Sequence, residues 1–184
     1  KKGVNYFVKD PEMYRDKRVV IAGGGDSALD WAIFLADVAA EVTLVHRRNS
    51  FRGAIDSAEK VQQLDMEGKI KLITEAQVTG LTGKDHLEQV TIKHKNLGEY
   101  EKPTDYYLPL FGLSPKLGPI GEWGLEIDKN AIVVDTFDYR TNLAGVFAIG
   151  DVVRPGILTE AIGAGRIVAQ AICDILEGNV PLPF

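Results

Sequence analysis

Three consecutive glycines stand where a short apolar strand hands over to a helix: Arg18-Val-Val-Ile-Ala-Gly23-Gly24-Gly25-Asp26-Ser27-Ala28. The spacing Gly23-x-Gly25-x-x-Ala28 lets a backbone turn sharply, approach a pyrophosphate closely and pack the next helix on its parent strand. The helix N-terminus, opening at Asp26 and Ser27, then offers free N–H groups and a partial positive charge to that pyrophosphate. The spacing alone is weak evidence; its strand-turn-helix surroundings give it weight. Residues 26–39 place Ala28, Leu29, Trp31, Ala32, Phe34, Leu35 and Val38 on one broad face, which predicts a helix with Trp31 as core filler.

The end of the second strand selects the nucleotide. Units that bind NAD or FAD carry Asp or Glu there, about 20 residues beyond the turn, where the carboxylate accepts hydrogen bonds from a ribose diol. Here Glu41-Val-Thr-Leu-Val45 runs into His46-Arg47-Arg48, with Arg52 close behind. A carboxylate would repel a 2′-phosphate, whereas guanidinium groups bind one, often through two parallel hydrogen bonds. A basic run can equally be a solvated loop. Its occurrence at the expected distance from the glycine turn favours NADP(H) binding.

Composition narrows the remaining classes. The chain has 184 residues, 45% hydrophobic and 26% charged, as in ordinary globular proteins, enough for one domain or two small ones. A net charge of −5 argues against nucleic acid as a ligand, although Lys1, Lys2, Lys9, Arg15, Lys17 and Arg18 join the arginine loop in a local basic excess suited to an acidic partner or an anionic nucleotide. No stretch approaches the apolar length needed to span a bilayer, and no apolar signal core follows the N-terminal lysines. The single cysteine, Cys173, lies in an apolar helical pattern and reads as core. The cytoplasm is the default compartment.

Along the chain, residues 4–8 read as a short extended segment, and Pro11 with Asp16-Lys17 as a linker. Strands are expected over 18–22, 41–45 and 69–74, with a second helix through Ile55, Ala58, Val61 and Leu64 that ends at Gly68, completing a βαβαβ unit. The period then switches to alternation: strands over 76–82 and 87–95, and a third near Tyr100-Glu101, form an antiparallel meander. Residues 105–111 read as a strand that Pro109 confines to an end or edge, broken by Gly112-Leu-Ser-Pro115. Beyond it come a strand pair over 125–127 and 131–134, a buried strand ending at Ile149-Gly150-Asp151, and a long helix over 157–177.

These motifs resemble the thioredoxin-reductase-like class of flavoproteins, most closely its ferredoxin–NADP reductase branch. The residues concerned are Val19 to Trp31, Val42-Thr-Leu-Val-His-Arg-Arg48, Phe51-Arg52, Phe111-Gly-Leu-Ser-Pro115, Leu117-Gly-Pro119 and Trp123-Gly-Leu-Glu-Ile127, in the class's order. The resemblance implies that Arg47, Arg48 and Arg52 hold the 2′-phosphate and that the turn at Gly112 closes near the nicotinamide. Where thioredoxin reductase carries a redox CxxC, this chain has Phe7-Val8-Lys9-Asp10, so that disulfide route is closed here. Val146-Phe-Ala-Ile-Gly150-Asp151 is similar to the class's second FAD motif, in which the Asp bonds the ribityl-phosphate portion. Leu158-Thr-Glu160-Ala161-Ile162 falls where the class contacts the flavin ring. Residues 152–178 are more similar to thioredoxin reductase or the glutamate synthase small subunit, which leaves the electron acceptor open.

The implied fold is α/β: a Rossmann-like three-layer NADPH-binding domain with an antiparallel β-meander over 1–114, then an incomplete C-terminal segment of an FAD domain over 115–184. A complete enzyme of this class carries a second glycine-rich turn for the ADP half of FAD, and this chain has one such turn. The expectation is therefore the back portion of an enzyme, holding FAD poorly when isolated; a stoichiometric yellow flavin on purified chain would contradict that. In the intact parent, hydride would pass from NADPH to FAD and electrons to ferredoxin or a similar carrier, without an acid–base residue from this chain. A homodimer is compatible with the class. A nucleotide-binding module without catalysis, and a glutamate-synthase-like or disulfide-type assembly, remain open.

Overall fold

A computed structural model describes residues 2–112, 116–154 and 158–179. The chain separates into two compact units, Lys1–Gly112 and Leu113–Phe184. The expected break over 113–115 and the lead-in to the last helix over 155–157 lie outside the described residues.

The first unit is a three-layer sandwich. Its central sheet is parallel, in the order β3-β2-β1-β7, from β1 (Arg18–Gly23), β2 (Glu41–Val45), β3 (Lys71–Ile73) and β7 (Tyr106–Leu110). The helices α1 (Asp26–Leu35) and α2 (Ile55–Met66) form the crossovers, completing the expected βαβαβ unit. An antiparallel meander, β4 (Ala76–Thr82), β5 (Gln89–His94) and β6 (Gly98–Pro103), covers the other face. Covering both faces explains why β1 and β2 are apolar without alternation. Val19, Ile21, Val42, Leu44 and Leu108 join the cluster with Ala28, Leu29, Ala32 and Leu35 of α1 and Val61 and Leu64 of α2. Val20, Ala22, Val45 and Tyr107 join a second cluster with Val90 and Ile92 of the meander. Pro109 sits in β7 at the sheet's edge, where the missing N–H costs no ladder bond.

Three expectations in this unit need correction. The first helix stops at Leu35, not residue 39: the N–H groups of Val38 and Ala39 both turn back to the Leu35 carbonyl, and Val38 is left packed at the core's margin. Residues 11–14 are no linker but a 3₁₀ turn, Pro11–Tyr14, started by Pro11 and by the Asp10 carboxylate accepting from Glu12 N–H at 3.0 Å. It buries Tyr14 completely, edge-on to Tyr106, with its hydroxyl accepting from Asn5 Nδ2 at 2.9 Å. Residues 4–8 pair only at Val4, which bridges Tyr107, and leave Tyr6 and Phe7 exposed. Trp31 is half-buried against the core, edge-on to the exposed Phe34. Gly68 takes φ +73 just beyond α2, the left-handed cap expected of it.

The start of β1 is fastened to the lead-in of β7 by an ion pair. Asp105 Oδ1 accepts from Arg18 Nη2 at 2.6 Å, while Oδ2 accepts from Arg18 Nε at 3.1 Å and from its backbone N–H at 2.8 Å. The Arg18 guanidinium holds the Asp105 carboxyl down at about 2. A depressed folded-state value adds stability above the ordinary 3.8 and loses it as pH falls through about 2. The Arg18 side chain is 44% exposed and that of Asp105 29%, so solvent screening reduces the effect. Asp105→Asn is expected to lower neutral-pH stability by about 1 kcal/mol and to flatten the fall in stability between pH 4 and 2. Denaturant melts across that range measure both.

The second unit is built around Leu125, Ile132 and Ala148, with Leu117, Val134, Leu143 and Val152 packed against them. The expected strand pair is a minimal hairpin, β8 (Ile127–Asp128) and β9 (Ala131–Ile132), whose turn residues Lys129 and Asn130 both have positive φ. The expected buried strand ending at Gly150-Asp151 is not a strand. Among the described residues, 146–149 pair only through a bridge from Phe147 to Arg140, with Ala148 buried beneath. The long helix α3 (Leu158–Leu176) packs through Ala164 and Val168. Cys173, expected in the core, is exposed. α3 carries one broad apolar face, of which Ala164 and Val168 are buried while Ile162, Ile172 and Leu176 stay exposed. Among the described residues, no helix is long and apolar enough to cross a membrane.

Candidate dinucleotide site

The glycine turn leaves β1 at Gly23 and enters α1 with Gly25 as its N-cap, in an extended conformation. Each glycine answers a different neighbour. A Cβ on Gly23 would collide with the Leu110 carbonyl of β7 and stand 2.7 Å from Ala28 Cβ. A Cβ on Gly24 would occupy the space of the His46 imidazole. The first N–H bonds of α1 close early, from Ala28 and Leu29 to the Gly25 carbonyl, so the amides of Asp26 and Ser27 remain free of intrahelical partners.

The loop over 46–54, which follows β2, folds back onto this turn. Gly24 O accepts from Arg52 N–H at 2.7 Å and from Gly53 N–H at 3.2 Å. The Asp26 carboxylate accepts from Ala54 N–H at 2.7 Å, so Asp26 ties the loop to α1. Gly53 packs tightly here, since a Cβ there would lie 2.7 Å from Leu29 Cδ1 and 2.9 Å from the Asp26 nitrogen. His46 forms the floor: its ring stacks on Phe51 with centroids 5.1 Å apart, and Nε2 lies 3.0 Å from the Ser50 carbonyl. Burial pushes the His46 imidazole below its ordinary value; backbone bonds to Ser50 and Gly23 oppose this, and the charges of Arg47 and Arg48 add to it. The triplet His46-Arg47-Arg48 therefore presents two cations at neutral pH, not three.

Arg47 and Arg48 are exposed beyond β2, and Arg52 is exposed above the turn. Among the described residues none of the three makes an ion pair. Gly112, with φ +88, stands close to Arg52: a Cβ on it would lie 3.2 Å from Arg52 Nη2. Thus Gly23, Gly25, Asp26, Ser27, Arg47, Arg48, Arg52 and Gly112 converge at the C-terminal edge of the parallel sheet, the position where open α/β sheets bind ligands. Sequence reasoning left out Gly24, Gly53 and the seated His46. The glycine at 53, one residue after an arginine and two before a helix, is the available signal.

In the second unit a cleft of about 470 Å³ is lined by Thr136, Tyr139, Gly150, Asp151, Glu160 and Ala161, among others. Gly150 has φ +73 and opens a 3₁₀ turn, Gly150–Val152, that carries Asp151 to the surface. Four of the five residues expected here, Gly150, Asp151, Glu160 and Ala161, line this cleft; Ile162 is 56% exposed and does not. No three His, Cys, Asp or Glu side chains converge as a metal site among the described residues.

The family model described as pyridine nucleotide-disulphide oxidoreductase matches residues 4–165, most of the chain. The chain belongs to that family. Among curated members, it is 67% identical over 154 residues to ferredoxin–NADP reductase 2 of Christiangramia forsetii, covering 82% of this chain and 44% of that protein. It is 66% identical over 182 residues to the ferredoxin–NADP reductase of Flavobacterium johnsoniae, covering 97% and 51%. Thioredoxin reductase of Lactococcus lactis, crystallised in its FR conformation, superposes with a TM-score of 0.82 at 30% identity, covering 96% of this chain and 59% of that one. The chain thus spans about half the length of the curated relatives it matches. The Rossmann-type parallel sheet with its antiparallel meander is shared with that thioredoxin reductase structure.

Proposed function

We propose that the chain is the NADPH-binding portion, with a C-terminal FAD-contacting segment, of an FAD-dependent oxidoreductase of the ferredoxin–NADP reductase type. The observation that carries this is the end of β2, where Arg47 and Arg48 replace the carboxylate of NAD-binding units beside a glycine turn that caps α1. The first unit takes the dinucleotide. Gly23 and Gly25 admit the pyrophosphate to the N–H groups at Asp26 and Ser27, and Arg47 and Arg48 face the 2′-phosphate. In the second unit Gly150, Asp151, Glu160 and Ala161 line a mainly apolar cleft suited to part of FAD.

When bound, the two cofactors supply the hydride chemistry, and this chain contributes binding, orientation and a positive field. Electrons then leave to ferredoxin or a similar carrier, ferredoxin being the partner in the printed names of the two reductases described above. Titration of the chain with NADPH and NADH tests the proposal. NADPH is expected to bind about 100-fold tighter or more; equal affinities would overturn the assignment of Arg47 and Arg48.

A further inference from the structure

The meander turns from β5 to β6 through Lys95-Asn96-Leu97, and a side chain holds the amides of that turn. His94, the last residue of β5, takes two of them on one ring nitrogen. Its Nδ1 accepts from Asn96 N–H at 3.1 Å and from Leu97 N–H at 3.2 Å. Both donors are backbone N–H groups, so Nδ1 carries no proton and the ring's single N–H lies on Nε2. Across the ladder His94 pairs with Ala76 of β4, which Glu75 precedes. Glu75 has φ +49, a left-handed conformation unfavourable to a residue with a side chain. Lys95 ties it there twice, through Lys95 N–H to Glu75 O at 3.0 Å and Lys95 Nζ to Glu75 Oε1 at 2.7 Å. The Lys95 hydrogen bond and charge hold the Glu75 carboxyl below its ordinary value, and His94 acts in the same direction. The remaining charges around the ring are Lys93 in β5 and Glu99, which follows its β6 partner Gly98. Ala76 N–H is donated to His46 O at 3.0 Å, so this turn stands beside the end of β2, where Arg47 and Arg48 follow.

We propose that His94 is a proton-operated latch on the β5–β6 turn: the neutral ring holds the turn closed and the protonated ring releases it. An imidazolium has an N–H on both nitrogens and nothing left with which to accept. A proton taken up on Nδ1 therefore breaks two hydrogen bonds at once and sets a third N–H against the two amide hydrogens. The released ring has Glu75 as its anionic neighbour and must share that carboxylate with Lys95. Glu75 and Glu99 favour the added charge, whereas Lys93 and Lys95 oppose it. Histidine is the side chain suited to such a change between pH 5 and 8. The latch belongs to the meander alone and is independent of what the glycine turn binds.

The test is NMR of the nitrogen-labelled chain at pH 8 and pH 5, beside His94→Asn, whose side-chain oxygen accepts from turn amides but takes up no proton. At pH 8 the His94 ring is expected as the Nε2–H tautomer. At pH 5 the Asn96 and Leu97 amides are expected to exchange with solvent about tenfold faster than at pH 8, once the intrinsic pH dependence of exchange is removed. The amides of Val90 and Ile92, within β5, should stay protected at both. His94→Asn should keep the turn amides equally protected at the two pH values. A proton on Nδ1 at pH 8 would overturn the proposal. Equal corrected exchange at both pH values in the unaltered chain would do so too, as would a pH difference that survives in His94→Asn. Loss of Val90 and Ile92 protection at pH 5 would also overturn it, because the whole meander would then be opening and not the turn.

Discussion

Replacing Arg47 and Arg48 together by serine is expected to raise the dissociation constant for NADPH by about two to three powers of ten and to leave that for NADH nearly unchanged. Each charge-assisted hydrogen bond to a phosphate contributes about 1.5–3 kcal/mol, so two arginines give a gross preference of about 3–6 kcal/mol. Both side chains are exposed. Screening therefore removes a good part of that figure, and the residual preference shrinks further as salt is raised. His46 does not add a third cation, because burial keeps its ring neutral beneath Gly24. Neither arginine holds an ion pair among the described residues, so the thermal midpoint of the double variant should match that of the unaltered chain. Calorimetric titrations with both nucleotides measure the effect, and equal losses for the two would remove the specificity argument.

Gly23→Val is expected to be the most damaging single substitution to the fold, lowering stability by about 3 kcal/mol. The new Cβ would meet the Leu110 carbonyl and the Ala28 side chain, and neither can retreat. Leu110 lies at the end of β7, paired in register with Gly23 itself. Ala28 is fully buried under the sheet. The reason for glycine is thus close approach of backbone to backbone. Gly24→Ala makes an informative contrast, since its Cβ would displace only the His46 ring. That variant should keep more stability but unseat the arginine loop, so NADPH binding falls more than NADH binding. Denaturant unfolding together with the two nucleotide titrations distinguishes these outcomes.

The parts of the fold legible from the sequence are those whose signals are local. Gly23, Gly25 and Ala28 declare a turn, Val19 to Ala22 a buried strand, and the switch to alternation after Ile73 the meander. Pro109 even marks the edge of the sheet. What escaped depends on contacts between distant residues. Pro11–Tyr14 looks like a linker until Tyr14 is seen to fill the space beside Tyr106. The stretch over 146–149 is apolar enough for a strand, yet within the described residues its backbone bonds go to the neighbouring loop at Tyr139, Thr141 and Leu143 and form only an isolated bridge, between Phe147 and Arg140. Cys173 stands a heptad after Arg166, at the margin of the broad apolar face of α3, and the sequence does not show how far across that face its own unit reaches. At the site, the basic loop is readable as composition, but not the wedging of His46 against a glycine 22 positions earlier.

A crystal structure of the chain with NADP⁺ bound tests the central claim most directly. The account predicts the 2′-phosphate within hydrogen-bonding distance of the Arg47 and Arg48 guanidinium groups, with the pyrophosphate over the free amides of α1. A dinucleotide bound with its 2′-phosphate remote from both arginines would contradict it.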